Sequence, residues 1–239
     1  MAYGAFKGPD SLDNLGTVVE GQQLGPKPLG QTFKYDRRVE ARGRLPDSRQ
    51  LGGVIYAPYL EALDIIRQVD DELSQEAEAR GESRDKGFFL EQLQDLVAEE
   101  IDTWLLDNNI IRESDGAVTI VKARNALQTA LDVYHGVDAF LDIEIRGLYK
   151  AVVTIDITLN PEKLRGDKKA KADLVLAPIK LPESRRRPRD PAELAHWREE
   201  RAAAKVEIRV IAHRILRGLR AERGLNRLLQ NQRLQRRSA

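Results

Sequence analysis

The sequence of 239 residues contains no cysteine and only three histidines. Disulfide bonds and thiolate zinc sites are therefore excluded, and His135, His196 and His213 are too scattered in sequence to predict a histidine cluster. Any metal ion must be bound mainly through oxygen atoms. No apolar run is long enough to span a bilayer, and the N-terminus lacks the basic and then apolar order of a signal peptide. These absences predict a cytoplasmic protein that has no membrane partner.

The net charge of +1 conceals an uneven distribution of charge along the chain. From Ser184 to Ala239 there are 16 lysines and arginines against 6 aspartates and glutamates, so this quarter carries +10 and the first 183 residues carry −9. Arginine dominates, and its planar guanidinium suits phosphate groups. The pattern is typical of a contact with nucleic acid such as DNA. A solvated helix, or one that docks on the acidic part of this chain or on a partner, fits it equally well. The arginines predicted to bind nucleic acid are Arg185, Arg186, Arg187, Arg189, Arg209, Arg217 and Arg220.

Glycine and proline recur throughout residues 1–55, in stretches such as "FKGPDSLDN" and "QLGPKPLGQ". The apolar residues there show no sustained helical or strand periodicity. This composition predicts an extended arm rather than a folded domain. Within it, "FKYDRRVEARG" is compatible with a short strand, or with an arm that lies across a partner protein or a neighbouring subunit of a homo-oligomer. The arm is therefore the expected contact with a second protein chain.

Apolar periodicity predicts three helices in residues 56–183, over residues 58–81, 85–109 and 122–136. Trp104 lies on the apolar stripe of the second helix and is predicted to be part of the core. The apolar residues that mark the turns of the first helix are Leu60, Leu63, Ile66 and Val69.

Strand patterns follow the third helix. "VDAFLDIEI" and "KAVVTIDITL" predict a hairpin with its turn at Gly147, and "ADLVLAPIKL" predicts a third strand. A long basic helix should begin at Pro191 behind the capping residue Asp190, and the end of the chain should fray. Its apolar stripe is Ile208, Ile211, Ile215 and Leu219.

The predicted fold is therefore α+β, with a small mixed β-sheet of about three to five strands flanked by helices. The sequence divides into an extended arm over residues 1–55, an α/β core over residues 56–183, and a basic helix and tail over residues 184–239.

Two aspartates interrupt the predicted hairpin. Asp138 lies near the open end of the first strand, and Asp156 interrupts an apolar and β-branched run in the second. Pairing through the turn brings the two close together. Like charges at that distance repel unless they share a proton or a cation, so the pair predicts a site for Mg²⁺ or Mn²⁺. An aspartate on a solvated hairpin face, capped by neighbouring threonine hydroxyls, is the plainer alternative.

The stretch "GVDAF", a hairpin and "VTIDIT" together resemble the core of the PD-(D/E)XK nuclease superfamily, over residues 122–181. The resemblance implies a restriction-endonuclease-like fold in which Asp138 is the first motif aspartate and Asp156 the second acidic residue. Thr158 stands where the motif has a lysine, and a neutral hydroxyl cannot supply positive charge beside a phosphate.

The lysine migrates within this superfamily, which makes Lys163 the first substitute and Lys171 the second. The resemblance also implies a glutamate from a preceding helix, and both Glu99 and Glu100 are candidates. The predicted catalytic set is therefore Asp138, Asp156, Thr158 and Lys163.

Two functions from different classes follow from these patterns. The first is a Mg²⁺-dependent DNA endonuclease, or a nuclease subunit, of a bacterial or phage mobile-element system, and the converging aspartates favour it. The second is a non-enzymatic nucleic-acid-binding or virion assembly protein built on a nuclease-like fold. The missing motif lysine and the long N-terminal arm favour this second function.

Overall fold

The computed structural model describes residues 22–24, 31–41, 50–51, 54–82, 87–146, 149–166, 171–182, 188–221 and 225–226. The chain divides into two compact units. The first unit comprises Met1–Gly87, Asn125–Asp138 and Ile155–Pro178, and the second comprises Phe88–Arg124, Ala139–Thr154 and Ile179–Ala239.

Six helices and six strands have defined bounds in the described part of the chain. The helices are α1 (Gln31–Ala41), α2 (Tyr59–Ala79), α3 (Phe88–Asp107), α4 (Ala130–His135), α5 (Pro161–Arg165) and α6 (Pro191–Ala221). The strands are β1 (Gln50–Leu51), β2 (Val54–Ile55), β3 (Thr119–Asn125), β4 (Ala139–Ile145), β5 (Tyr149–Ile157) and β6 (Leu174–Leu176). A short 3-10 helix, Glu113–Asp115, precedes β3.

Strands β3 to β6 form a four-stranded sheet in the order β3-β4-β5-β6, and β1 and β2 form a separate antiparallel pair. Strands β5 and β6 are parallel, with Asp156 opposite Val175. The expected class is therefore confirmed as a mixed α+β fold with a mixed sheet flanked by helices. The predicted turn at Gly147 lies outside the described residues.

Neither alternative for "FKYDRRVEARG", a short strand or an extended arm, describes residues 33–41, because they belong to helix α1. Tyr35 and Val39 lie one turn apart and are both fully buried. Arg38 of α1 binds Gln68 and Glu72 of α2 through its guanidinium. Some of the charged side chains of α1 therefore form ion pairs with α2, a helix that is distant in sequence.

The short segment of residues 22–24 is also helical and packed, which corrects the expectation of an extended arm there. Leu24 is fully buried, and its carbonyl accepts a hydrogen bond from the Asn125 amide at 3.1 Å. Local sequence patterns do not predict this packing, because Asn125 lies 101 residues away from Leu24 in the chain.

Helix α2 confirms the prediction for residues 58–81 to within two residues at each end. Leu63, Ile66 and Val69 are buried as expected, whereas Leu60 is 77% exposed and does not belong to the stripe. Gly81 ends this segment at a φ of 69°, a left-handed conformation that glycine adopts without strain.

Residues 122–125, predicted to begin a third helix, belong to strand β3 instead. Val121 and Ala123 point inward while Lys122 between them is exposed, which is the alternation of a strand. The buried Arg124 pairs with Asp142 at 2.8 Å and so hides its charge within the sheet. Only α4, at the end of the predicted segment, is helical, and it ends as expected at Gly136 with a φ of 63°.

Helix α6 begins where the sequence indicates. The Oδ1 atom of Asp190 accepts hydrogen bonds from the backbone N–H groups of Ala192 and Glu193, at 2.9 and 3.1 Å. The predicted stripe is buried and packs on α3, where Trp104 is also buried as predicted. The third strand of the core is shorter than expected and covers only Leu174–Leu176. The frayed tail predicted beyond residue 230 lies outside the described residues.

Candidate functional site

The end of strand β5 is buried on both faces, unlike its beginning. Ile155 and Ile157 point to one face and Thr154 and Asp156 to the other, yet all four are at most 5% exposed. Asp138 is 4% exposed. The two aspartates are therefore not on a solvated face, and each must find a partner for its carboxylate inside the protein.

Asp138 is fixed to the end of β5 by its backbone and by its side chain. Its N–H donates to the carbonyl of Ile155 at 2.9 Å, and its Oδ2 atom accepts from the N–H of Ile157 at 2.6 Å. Its own carbonyl accepts from Ala126 at 2.8 Å. The Asp138 carboxylate therefore touches the peptide group that joins Asp156 to Ile157.

Asp156 forms an ion pair with Lys163. The Nζ atom of Lys163 lies 2.9 Å from Oδ2 of Asp156, whose side chain is 6% exposed. The lysine side chain is 37% exposed, so its ammonium has a buried partner on one side and access to solvent on the other. The structure thus brings three of the predicted site residues, Asp138, Asp156 and Lys163, to one end of strand β5.

Two consecutive side-chain caps place Lys163 there. Thr158 Oγ1 accepts from the N–H of Asn160 at 3.1 Å, and Asn160 Oδ1 accepts from the N–H of Glu162 at 2.9 Å. Asn160 is thereby the N-cap of α5, Pro161 occupies its first turn, and Gly166 ends it at a φ of 79°. Thr158, predicted as a site residue, is half-buried and acts in the turn that leads to Lys163.

Asn160 was missed in the sequence, although "NPEKLRG" carries the signal of a short capped helix. An N-cap residue, proline at the first position and glycine just after the end are together the usual boundaries of a helix. The short helix that these signals define directs Lys163 back towards β5.

Lys171 and the α3 glutamates have other partners. Lys171 donates to the carbonyl of Tyr134, in the last turn of α4, at 2.9 Å. Within the second unit, Arg209 binds Glu99 at 2.9 and 3.1 Å, and Glu100 accepts from His213 at 3.2 Å. Ion pairs with α6 therefore occupy both glutamates that the resemblance offered as metal ligands.

The predicted DNA-binding arginines that lie in the described residues differ in their surroundings. Arg189 and Arg217 are exposed. Arg209 is engaged by Glu99, and the guanidinium of Arg220 lies 5.3 Å from the centre of the Trp104 ring. Arg185, Arg186 and Arg187 lie outside the described residues. Arg189, Arg217 and Arg220 are thus exposed, while Arg209 and Arg220 also contact side chains of α3.

Asp138 and Asp156 each supply carboxylate oxygens, the type of donor that hard divalent cations prefer. Mg²⁺ prefers oxygen ligands, keeps several of its waters and is commonly held by one or two carboxylates. No group of three or more acidic or histidine side chains is placed to hold a metal ion in the described part of the chain. A cation at Asp138 and Asp156 would therefore complete its shell with water, and it would compete with Lys163 for Asp156.

Comparison with known proteins adds no family to these observations, since no model of a protein family, no curated protein and no solved structure matches the chain. Among the described helices, none combines the length and the apolar character needed to cross a membrane. The case for a function therefore rests on the carboxylate pair, its lysine and the arginines near α6.

Proposed function

We propose that this protein is a metal-dependent DNA endonuclease, or a nuclease subunit, with a restriction-endonuclease-like core. One observation carries the proposal. The buried Asp138 accepts a hydrogen bond from the N–H of Ile157, the residue that follows the buried Asp156, and a lysine lies 2.9 Å from Asp156. Two carboxylates that can hold a divalent cation, with an ammonium group beside one of them, support metal-dependent hydrolysis of a phosphodiester.

Asp138 and Asp156 would hold Mg²⁺ or Mn²⁺ in this proposal. Such an ion neutralises charge that develops on the phosphate and lowers the pKa of a bound water. The hydrogen bond from Ile157 orients the Asp138 carboxylate, and burial keeps bulk water away from both acids. Their electrostatic effect is larger there than it would be in solvent.

In this proposal Lys163 takes the role of the motif lysine, because Thr158 stands at the position of that lysine. Its ammonium is half-exposed, so it can keep Asp156 on one side and approach a phosphate oxygen on the other. A lysine so placed supplies the positive charge that the Thr158 hydroxyl cannot supply. The DNA backbone would be held by the exposed arginines Arg189 and Arg217, whose contribution should weaken as salt concentration rises.

The same contacts also support a non-enzymatic nucleic-acid-binding or assembly protein. The Ile157 N–H occupies one oxygen of Asp138, and Lys163 neutralises Asp156. Both buried acids therefore have partners without a metal ion. In this alternative the three residues only stabilise the end of β5, and the arginines do the binding.

Cleavage of supercoiled, linear and single-stranded DNA separates the two functions. The wild-type chain is incubated with each DNA in Mg²⁺, Mn²⁺ or EDTA, beside Asp156→Asn and a control, Asp107→Asn, at an exposed aspartate of α3. Cleavage that needs the cation, is lost in Asp156→Asn and survives in Asp107→Asn supports the nuclease.

Binding without cleavage supports the alternative function. In that case DNA affinity should be unchanged in Asp156→Asn and should fall in Arg189→Gln, with a weaker dependence on salt concentration in the arginine variant. Cleavage that is equal in wild type and Asp156→Asn would contradict a nuclease site at Asp156.

A further inference from the structure

Helix α6 exposes an apolar face on the side opposite its buried stripe. Ile208, at the middle of that stripe, is fully buried, whereas Val206 and Val210 on either side of it in sequence are 66% and 63% exposed. At about 100° per residue, each valine lies about 160° around the helix from Ile208. Two branched apolar side chains one turn apart are thus presented to solvent at the centre of a helix of 31 residues.

The exposed face continues in both directions along the helix. Towards the N-terminus it includes Ala203 and then Glu199, and towards the C-terminus it includes His213 and then Arg217. All four are exposed, although the His213 ring also contacts Glu100 of α3 at 3.2 Å. Glu199 and Arg217 are each nine residues from Ile208, which places both about 180° around the helix from it. The face therefore has an apolar centre, an acidic end and a basic end.

This arrangement of charge is complementary to itself when a second copy is turned end to end. An antiparallel pair of α6 helices, centred at the level of Ile208, places Val206 opposite Val210 of the second copy. The same register places Ala203 opposite His213, and Glu199 opposite Arg217. A twofold axis relates the two copies, so each contact occurs twice and the same surface of both copies forms the interface.

A parallel pair would instead set Glu199 against Glu199 and Arg217 against Arg217. Like charges facing each other at an interface disfavour that orientation, so the charges select the antiparallel one. Phosphate groups would gain nothing from the two valines. A second copy of this chain is thus the occupant that matches both the apolar centre and the charged ends.

We propose that the protein forms a twofold homodimer through antiparallel pairing of α6, with Val206 and Val210 at its centre and Glu199–Arg217 ion pairs at its ends. This dimer does not involve the proposed site residues Asp138, Asp156 and Lys163. It also withdraws Arg217 from the DNA contact predicted for it and leaves Arg189 available.

Sedimentation equilibrium of the full-length chain tests the dimer. The wild type should be a dimer at micromolar concentration, and Val206→Glu/Val210→Glu should be a monomer with an unchanged far-ultraviolet circular dichroism spectrum, because both side chains are exposed. Leu60→Glu, at a 77% exposed leucine of α2, is the matched control and should remain a dimer.

Charge reversal tests the orientation. Glu199→Arg and Arg217→Glu should each weaken the dimer about tenfold or more, and the double variant should recover most of the loss. A wild type that stays monomeric would overturn the proposal, as would a dimer unaffected by the two glutamates or one not restored in the double variant. A monomer whose binding to vesicles or to duplex DNA is abolished in Val206→Glu/Val210→Glu would also overturn it.

Discussion

The Nζ atom of Lys163 lies 2.9 Å from Oδ2 of Asp156, although a turn and the first two residues of a short helix separate the two in the chain. Asp156 is buried at the end of β5, and the capped helix α5 turns the lysine back towards it. Each of these contacts has a measurable consequence.

Lys163→Met leaves the buried Asp156 carboxylate without its cation. The free energy of unfolding should fall by on the order of 1–3 kcal/mol, measured by urea denaturation in EDTA. Millimolar Mg²⁺ should recover more stability in the variant than it adds to the wild type, because in the variant no lysine competes with Mg²⁺ for the Asp156 carboxylate.

The matched control is Lys150→Met, at a solvent-exposed pair with Glu144. Its effect should stay within about 0.5 kcal/mol, and Mg²⁺ should not change it. Equal effects of the two lysine substitutions would contradict the special position of Lys163.

Asp138→Asn and Asp138→Ala separate the hydrogen bond of this residue from its charge. Asparagine keeps an acceptor for the Ile157 N–H, so its stability should stay within about 1 kcal/mol of the wild type. Alanine leaves that buried N–H without an acceptor and should cost on the order of 1–3 kcal/mol. Metal-dependent cleavage should disappear in both variants, and an active Asp138→Asn enzyme would remove Asp138 from the metal site.

Asn160→Ala removes the N-cap of α5 and should lower the free energy of unfolding by about 0.5–2 kcal/mol. Asn160→Asp retains a good cap and should be close to wild type. If α5 positions Lys163, cleavage should fall in the alanine variant while the carboxylates are untouched. A variant with a normal cleavage rate but reduced stability would show that Lys163 does not need this cap.

The pH dependence of the free energy of unfolding tests whether Tyr35 of α1 is buried. Burial raises the pKa of the Tyr35 phenol well above its ordinary value of 10.0, so the folded protein keeps a proton that the unfolded chain loses. Stability due to this group is therefore complete below pH 10 and declines above it, by about 1.4 kcal/mol per pH unit. Urea denaturation between pH 8 and 11 should show a steeper decline in the wild type than in Tyr35→Phe. Parallel declines would contradict the buried position of Tyr35.

The sequence predicts well the elements that are stabilised by local patterns. Helices α2 and α6 have clear boundary signals in Gly81 and Asp190, and both strands of the predicted hairpin form, although the end of β5 is buried on both faces. Helix α1 was missed because its support comes from residues of α2 that are about thirty positions away, such as Gln68. Strand β3 was missed because alanine and leucine recur there and just after it at spacings that also suit a helix.

The candidate site could be predicted only in part, for a similar reason. The aspartates stand out because acids are unusual in apolar strands, and Lys163 is the nearest following lysine. The burial of Asp138 and its bond to Ile157 depend on tertiary packing that no local pattern encodes. The catalytic roles of these residues stay predictions.

Titration of Mn²⁺ into the wild-type chain by calorimetry, beside Asp138→Asn and Asp156→Asn, tests the central claim most directly. The two carboxylates should bind one ion per chain, and each substitution should weaken the binding by more than about tenfold, since it replaces a charged ligand. A wild type that binds no ion, or three proteins with the same affinity, would contradict a metal site at the end of β5.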